Sequence, residues 1–306
     1  MSTSTKKTIL ITGANGLLGQ KLCLDFSASH EVIAGDLHPQ SFTPFSGVTY
    51  RSLDVTNQPE TRLNIQNDNP QVIINAAAYT DVDGCEVHKK EAWVVNVGAV
   101  ENLVRICREM KIKLIQLSTD YIFNGENGPY SEDDPPGPVS FYRETKLESE
   151  ETIKQSGIDY LIVRTNVLYG TGKKVKKNFL LWLLENLSSG KNIKIVNDQF
   201  NNPTLADNLS LCILEMAEKN LSGIYHVGGA EYLSRYDFAV KAADKFDFDP
   251  ALISPTPTEF LEQKATRPHW GGLKIDKVRK VLRTKLLNVE EGLEKVKKGM
   301  ETKEWL

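Results

Sequence analysis

Thr12-Gly13-Ala14-Asn15-Gly16-Leu17-Leu18-Gly19 sets three glycines three apart between an apolar run and an amphipathic one. Glycines at such a turn avoid the steric cost of unusual backbone angles. They also let backbone N–H groups and the positive end of a following helix approach a diphosphate. Gly13, Asn15, Gly16, Leu17, Leu18 and Gly19 are therefore candidates to hold a dinucleotide. The first glycine step is one residue longer than in the usual dinucleotide fingerprint, so for this stretch alone an ordinary glycine-rich turn stays open. Context favours the ligand: Asp36 closes the next apolar run, where a carboxylate could accept hydrogen bonds from both hydroxyls of an adenosine ribose. That arrangement favours NAD(H) over a 2′-phosphate, and residues 37–40 contain no Arg or Lys, although Arg51 could swing near. A strand-end aspartate can also simply cap a turn.

Further along, Asp54-Val55 would face an adenine, and Ala76-Ala77-Ala78 is a set of side chains small enough for a flat ribose to approach the backbone. Close helix packing would select the same alanines. Ser118-Thr119 puts two hydroxyls at the end of another apolar run, where open α/β sheets place ligands. The alternative is a polar strand end bonding its own turn. Tyr142 and Lys146 are four apart and project from one helix face. Such a pair is commonplace by itself. Its weight comes from order: glycine turn, acidic second strand, Asn-Ala-Ala, hydroxyl-bearing strand end, then Tyr-x-x-x-Lys.

Positioning these residues requires buried parallel strands alternating with helices. Residues 8–11 read as a strand buried on both faces, 71–74 and 160–163 as buried strands, and 31–35, 49–53 and 113–117 as further strands. Leu17, Leu18, Leu22, Leu24 and Phe26 recur at near-helical spacing, residues 93–110 read as one long amphipathic helix, and a further helix opens at Ser140 after Pro138. Residues 124–138, rich in Gly, Pro and acid, form a loop long enough to be a lid. Residues 170–177 are a basic, glycine-bearing loop before an apolar helix at 179–187; its lysines are either solvated or near a nucleotide-sugar diphosphate. Strands at 193–196 and 224–227 are expected to return to the main sheet. The fold expected is α/β: a Rossmann-type doubly wound parallel sheet over 1–165, with returning elements at about 193–228 and a smaller C-terminal substrate-binding lobe from 166–192 and 229–306.

A chain of 306 residues with net charge −3 has no electrostatic footprint for nucleic acid or an anionic membrane. Its polar first residues and short apolar runs suggest neither a leader nor a membrane span, and a cytoplasmic protein is expected. Cys23, Cys85, Cys107 and Cys212 lie far apart without a Cys-x-x-Cys pair, which points to reduced thiols, and no metal-ligand spacing occurs among the cysteines and five histidines.

Taken together, the chain resembles the extended short-chain dehydrogenase/reductase superfamily, and within it the dTDP-4-dehydrorhamnose reductases. The likeness rests on Asn75-Ala76-Ala77-Ala78-Tyr79-Thr80 with Val82-Asp83 and Glu86, on Ser118-Thr119-Asp120-Tyr121-Ile122-Phe123-Asn124-Gly125, and on Tyr142-Arg143-Glu144-Thr145-Lys146-Leu147. It continues through Arg164-Thr165, Asn178-Phe179, Asp198-Gln199-Phe200, Pro203-Thr204, Gly223-Ile224-Tyr225-His226 and Arg267-Pro268. The resemblance implies NADPH or NADH as cofactor and a nucleotide-linked 4-keto-6-deoxy sugar as substrate. Tyr142 is then the catalytic acid, Lys146 its partner and a ligand of the nicotinamide ribose, and Thr119 the hydroxyl holding the substrate oxygen. Ser118, Tyr121, Asn178 and Arg267 face the substrate. A tyrosine acting near neutral pH needs its phenolate favoured by roughly 4 kcal/mol over a free phenol, which a nearby ammonium would supply.

Two positions depart from the family pattern. Val167 follows Arg164-Thr165-Asn166 where the reductases commonly carry a tryptophan near the sugar, so the sugar pocket is expected to be altered or more open. Gln20-Lys21 stands where some relatives hold a dimer-bridging magnesium by an acidic residue. No metal is therefore expected, and a homodimer is expected only on general grounds. A different nucleotide-sugar reductase or epimerase, or a noncatalytic relative like the regulatory subunit of methionine adenosyltransferase, are the competing readings.

Overall fold

The β-branched runs assemble side by side. The computed structural model describes residues 6–137, 139–260 and 265–302. Its main sheet contains β1 (Thr8–Thr12), β2 (Glu31–Asp36), β3 (Val48–Ser52), β4 (Val72–Asn75), β5 (Lys113–Thr119), β6 (Tyr160–Thr165) and β7 (Gly223–His226). Their order is β3-β2-β1-β4-β5-β6-β7, and every neighbouring pair is parallel. This is the Rossmann order extended by one strand, and its winding reverses between β1 and β4. The carboxyl ends of those strands therefore frame a crevice.

Both faces of the sheet are covered, as the continuous apolar runs require. Alternate residues point to opposite sides: Ile9 and Ile11 of β1 join Leu22, Phe26, Leu209 and Ile213 from the Leu17–Ser27 and Ala206–Glu218 helices. Leu10 faces the other way, with Ile65, Leu103, Ile106 and Ile153 from the Gln58–Asp68, Ala99–Met110 and Phe141–Lys154 helices. Each such side chain, fully buried, contributes roughly 1.5–3 kcal/mol. A third cluster holds Leu180, Leu183, Ile193, Ile195, Phe238, Ala242, Ile253 and Leu293 and forms a second lobe.

Three expectations need correction. Ile193–Val196 does not return to the main sheet; it pairs in parallel with Ile253–Thr256, and its isoleucines pack in the second lobe. A short apolar run signals burial but not its partner. Residues 93–110 are not one helix: Lys89–Trp93 runs into a π turn, Val94–Gly98, before Ala99–Met110. The extra residue in that turn leaves Val94 exposed and swings Asn96 inward. Leu24 lies off the buried stripe of its helix and is exposed. Pro138, part of the expected helix start, lies outside the described residues. No helix among the described residues is long and apolar enough to cross a membrane.

Candidate active site

A cavity of about 750 Å³ opens over the carboxyl ends of β1, β2, β4, β5 and β6 and reaches the second lobe. Gly13, Gly16, Leu17, Leu18 and Gly19 form one end of its wall. Gly13 has φ +68°, and a Cβ there would lie 2.7 Å from the Ala77 backbone nitrogen. At Gly19 a Cβ would lie 2.1 Å from the Gly13 carbonyl oxygen. The Gly16 N–H donates to that same oxygen at 3.0 Å, closing the longer first step into a turn. Gly16 begins the Leu17–Ser27 helix with no capping side chain and no acidic residue in its first turn. A bare helix N-terminus beside a cradle that side chains would fill fits the diphosphate of a dinucleotide.

Asp36 lines the adjoining wall with Asp54, Val55, Ala76, Ala77 and Ala78. Its carboxylate accepts from the Asn15 N–H (3.0 Å) and the His38 N–H (3.1 Å). Asn15 stands behind the wall: its side chain donates to the Gln40 carbonyl and the Tyr50 hydroxyl and accepts from the Phe42 N–H, pinning the 38–42 loop. Arg51 is turned to Asp68 at 3.0 Å. Asp54 accepts from the Thr56 N–H and hydroxyl, a turn-forming role.

At the cavity's centre β5 delivers Thr119, and the Phe141–Lys154 helix delivers Tyr142 and Lys146. The Thr119 hydroxyl accepts from the Tyr121 N–H at 3.2 Å and donates to Asp120 at 3.2 Å. Burial pushes the Tyr142 phenol up, Tyr121, Cys85 and Asp120 add to the rise, and only Thr119 opposes it. Tyr142 is accordingly a protonated phenol at neutral pH. Lys146 is 3 % exposed, and burial lowers its ammonium to about 8, opposed by Glu150. Its Nζ donates to the Leu117 carbonyl at 2.8 Å. The Tyr142 phenol is thus raised above its ordinary value rather than lowered as expected, because desolvation of the phenolate dominates.

The same helix is pinned from two sides. Asn96, turned inward by the π turn, donates to the Thr145 hydroxyl (3.0 Å) and accepts from the Tyr79 N–H (2.8 Å). Behind Lys146, Glu150 is fully buried and paired with Arg164 at 2.7 Å. Ser118 lines the cavity, but its hydroxyl donates to Glu150 and belongs to that network.

Beside Tyr142, Tyr121 meets its ring edge to face, with ring centroids 6.1 Å apart. Asn178 caps the Phe179–Ser188 helix by accepting from the Leu181 N–H, donates to the Gly170 carbonyl, and lines the cavity. Arg267 lies outside the cavity wall and pairs with Asp83 at 2.9 Å. Val167 lines the cavity with φ +36°, a conformation costing a β-branched residue about 1–3 kcal/mol.

Sequence reasoning missed three residues here. Gln20 is buried and clamps the basic loop: its Nε2 donates to the Asn15 and Lys173 carbonyls, and its Oε1 accepts from the Lys173 N–H. Asn96 could have been suspected as an amide on an apolar face. Arg235 of the second lobe also lines the cavity, and no motif around it announced that.

Residues 7–301 match the family described as RmlD substrate binding domain. dTDP-4-dehydrorhamnose reductase of Aggregatibacter actinomycetemcomitans is 31% identical over 285 residues, covering 88% of this chain and 91% of that protein. Methionine adenosyltransferase 2 subunit beta of Xenopus laevis is 29% identical over 263 residues, covering 84% of this chain and 77% of that protein. The crystal structure of dTDP-4-dehydrorhamnose reductase from Bacillus anthracis in complex with NADP is similar at a TM-score of 0.86 and 29% identity, covering 95% of this chain and 99% of that one. Similarity of this extent runs through the main sheet and the second lobe alike: the chain belongs to the RmlD substrate-binding-domain family of the extended short-chain dehydrogenase/reductase superfamily.

Proposed function

We propose that the chain is an NADPH- or NADH-dependent reductase of a nucleotide-linked 4-keto-6-deoxy sugar, with dTDP-4-dehydro-L-rhamnose, reduced to dTDP-L-rhamnose, as its first candidate substrate. The observation that carries this reading is a protonated Tyr142 beside Thr119 in a cavity whose far end is the glycine cradle. When bound, the nicotinamide supplies the hydride for the ketone carbon. Thr119 holds the ketone oxygen, and Tyr142 gives its phenolic proton to that oxygen as charge develops there. Lys146 then steadies the resulting phenolate until solvent restores the proton. Gly13, Gly16 and Gly19 take the cofactor diphosphate and Asp36 its adenosine ribose. The third hydrophobic cluster supports a substrate lobe of residues 166–192 and 229–306, to which 193–196 is added.

The test is a panel of nucleotide-linked 4-keto sugars offered with NADH and NADPH in parallel, read by loss of the reduced-nicotinamide absorbance. Stoichiometric consumption with at least one sugar supports the reading. Interconversion of sugars without net cofactor consumption replaces it with an epimerase. Likeness to the methionine adenosyltransferase subunit favours one further reading, a noncatalytic NAD(P)-binding subunit. Inertness toward every sugar, with a partner protein co-purifying in fixed ratio, would establish that instead.

A further inference from the structure

Four cations line the cavity: Lys146, Lys176, Lys177 and Arg235. Lys146 belongs to the catalytic centre, and Lys177 is paired with Glu185. Arg235 differs from both. Its guanidinium lies over the Phe179 ring at 4.7 Å, and its Nε is enclosed without a hydrogen-bond partner. It forms an ion pair with no carboxylate among the described residues. The acidic groups that act on it are Tyr121 and Asp120, and Asp120 is already bonded by the Gly272 N–H and the Thr119 hydroxyl. Arg267, another cation in its field, is neutralised by Asp83.

Only the Nε is enclosed; the residue is part-buried, and its guanidinium has no hydrogen-bond partner or anion among the described residues, which leaves the fork free to take one from a ligand. Burial already depresses Arg235 below the usual arginine value. The cofactor's diphosphate has its own cradle at the glycine turn on the other lobe. Arg235 instead projects from the second lobe, stacked on Phe179 next to Asn178, with Lys176, which forms no ion pair among the described residues, in the same wall. We infer that Arg235 binds the diphosphate of the substrate, gripping the phosphate that carries the sugar. This deepens the proposed function and rests on its assignment of the second lobe to a nucleotide sugar. The rigid planar fork suits two phosphate oxygens at once, which a lysine cannot match.

The experiment is titration calorimetry at saturating NADPH, with dTDP, thymidine and inorganic pyrophosphate as ligands, on the parent protein, Arg235→Gln and Arg235→Lys. NADPH binding and the melting temperature report that the variants fold. The expected result is a loss of dTDP affinity of about 30-fold or more in Arg235→Gln, partial recovery in Arg235→Lys, and thymidine affinity unaltered. A dTDP affinity within twofold of the parent overturns the inference, as does a parent protein that binds neither dTDP nor pyrophosphate. A loss confined to NADPH also overturns it, by moving Arg235 to the cofactor. If dTDP binding is lost as expected while no keto sugar is reduced by the parent, the anion site stands and only the reductase reading falls.

Discussion

Replacing Lys146 with methionine should make the protein more stable over part of the pH range while removing most of its activity. Burial lowers this ammonium from 10.5 to about 8. That difference corresponds to about 3 kcal/mol against the charged form at neutral pH. Below pH 8 both folded and unfolded chains carry the proton, and the folded state bears the full cost. Between pH 8 and 10.5 the unfolded chain still binds the proton and the folded one releases it, so this group makes stability rise with pH. Above both values the cost is gone. Methionine removes the titration and keeps the length of the stem, but gives up the bond from Nζ to the Leu117 carbonyl (2.8 Å). A charged hydrogen bond of that kind is worth about 1.5–3 kcal/mol, which offsets much of the gain at pH 7. The sharper signature is therefore the slope: parent stability minus variant stability should climb by about 3 kcal/mol from pH 7 to 10.5. Thermal melting of the cofactor-free proteins across that range, followed by tryptophan fluorescence, measures it. A parent-minus-variant difference that is flat, or that falls with pH, would refute the assignment of a desolvated ammonium. Turnover of the parent should decline on the alkaline side as Lys146 loses its proton.

Other outcomes follow from the same geometry. Tyr142→Phe should bind NADPH as the parent does and lose about 10²–10⁴-fold in kcat; near-parent turnover would remove Tyr142 from the chemistry. Gly19→Ala sets a Cβ 2.1 Å from the Gly13 oxygen, and with backbone on both sides of the contact it should cost about 1–3 kcal/mol and weaken NADPH binding by fluorescence titration. Unchanged NADPH affinity would mean the turn does not form the cradle. Gln20→Glu turns a carboxylate oxygen toward the Asn15 and Lys173 carbonyls and should melt lower than Gln20→Ala, since repulsion exceeds loss of bonds. The reverse order would show that Gln20 does not hold the basic loop.

The residues that line the cavity's centre and its glycine end were readable because their signals are local. A glycine that must bring backbone within contact distance leaves a glycine in the chain, and a helix face is readable from residues four apart. The central strands of the main sheet were readable for the same reason, since burial on both faces demands the unbroken apolar runs of β1, β4 and β6, whereas the edge strands β3 and β7 are only part-buried. Signals that depend on a distant partner misled. Ile193–Val196 looked like a strand of the main sheet because its burial shows in the sequence and its neighbour, Ile253–Thr256, does not. The 93–110 stretch looked like one helix because a single inserted residue in a π turn barely alters an apolar period.

The sequence by itself determined an α/β sheet, because unbroken apolar runs follow from burial, and it brought forward the glycine turn, Asp36 and, through the order of motifs and the family resemblance, Thr119, Tyr142 and Lys146 as candidates that line one cavity. The tertiary structure alone decided what those groups experience. Desolvation keeps Tyr142 protonated and depresses Lys146, Glu150 claims Ser118, Asp83 claims Arg267, and Arg235 enters the cavity from the second lobe without an acid partner among the described residues. Proton affinity and ion pairing depend on which atoms surround a group in space, and those atoms come from separate segments, as far apart as Asp83 and Arg267, whose meeting no local spacing encodes.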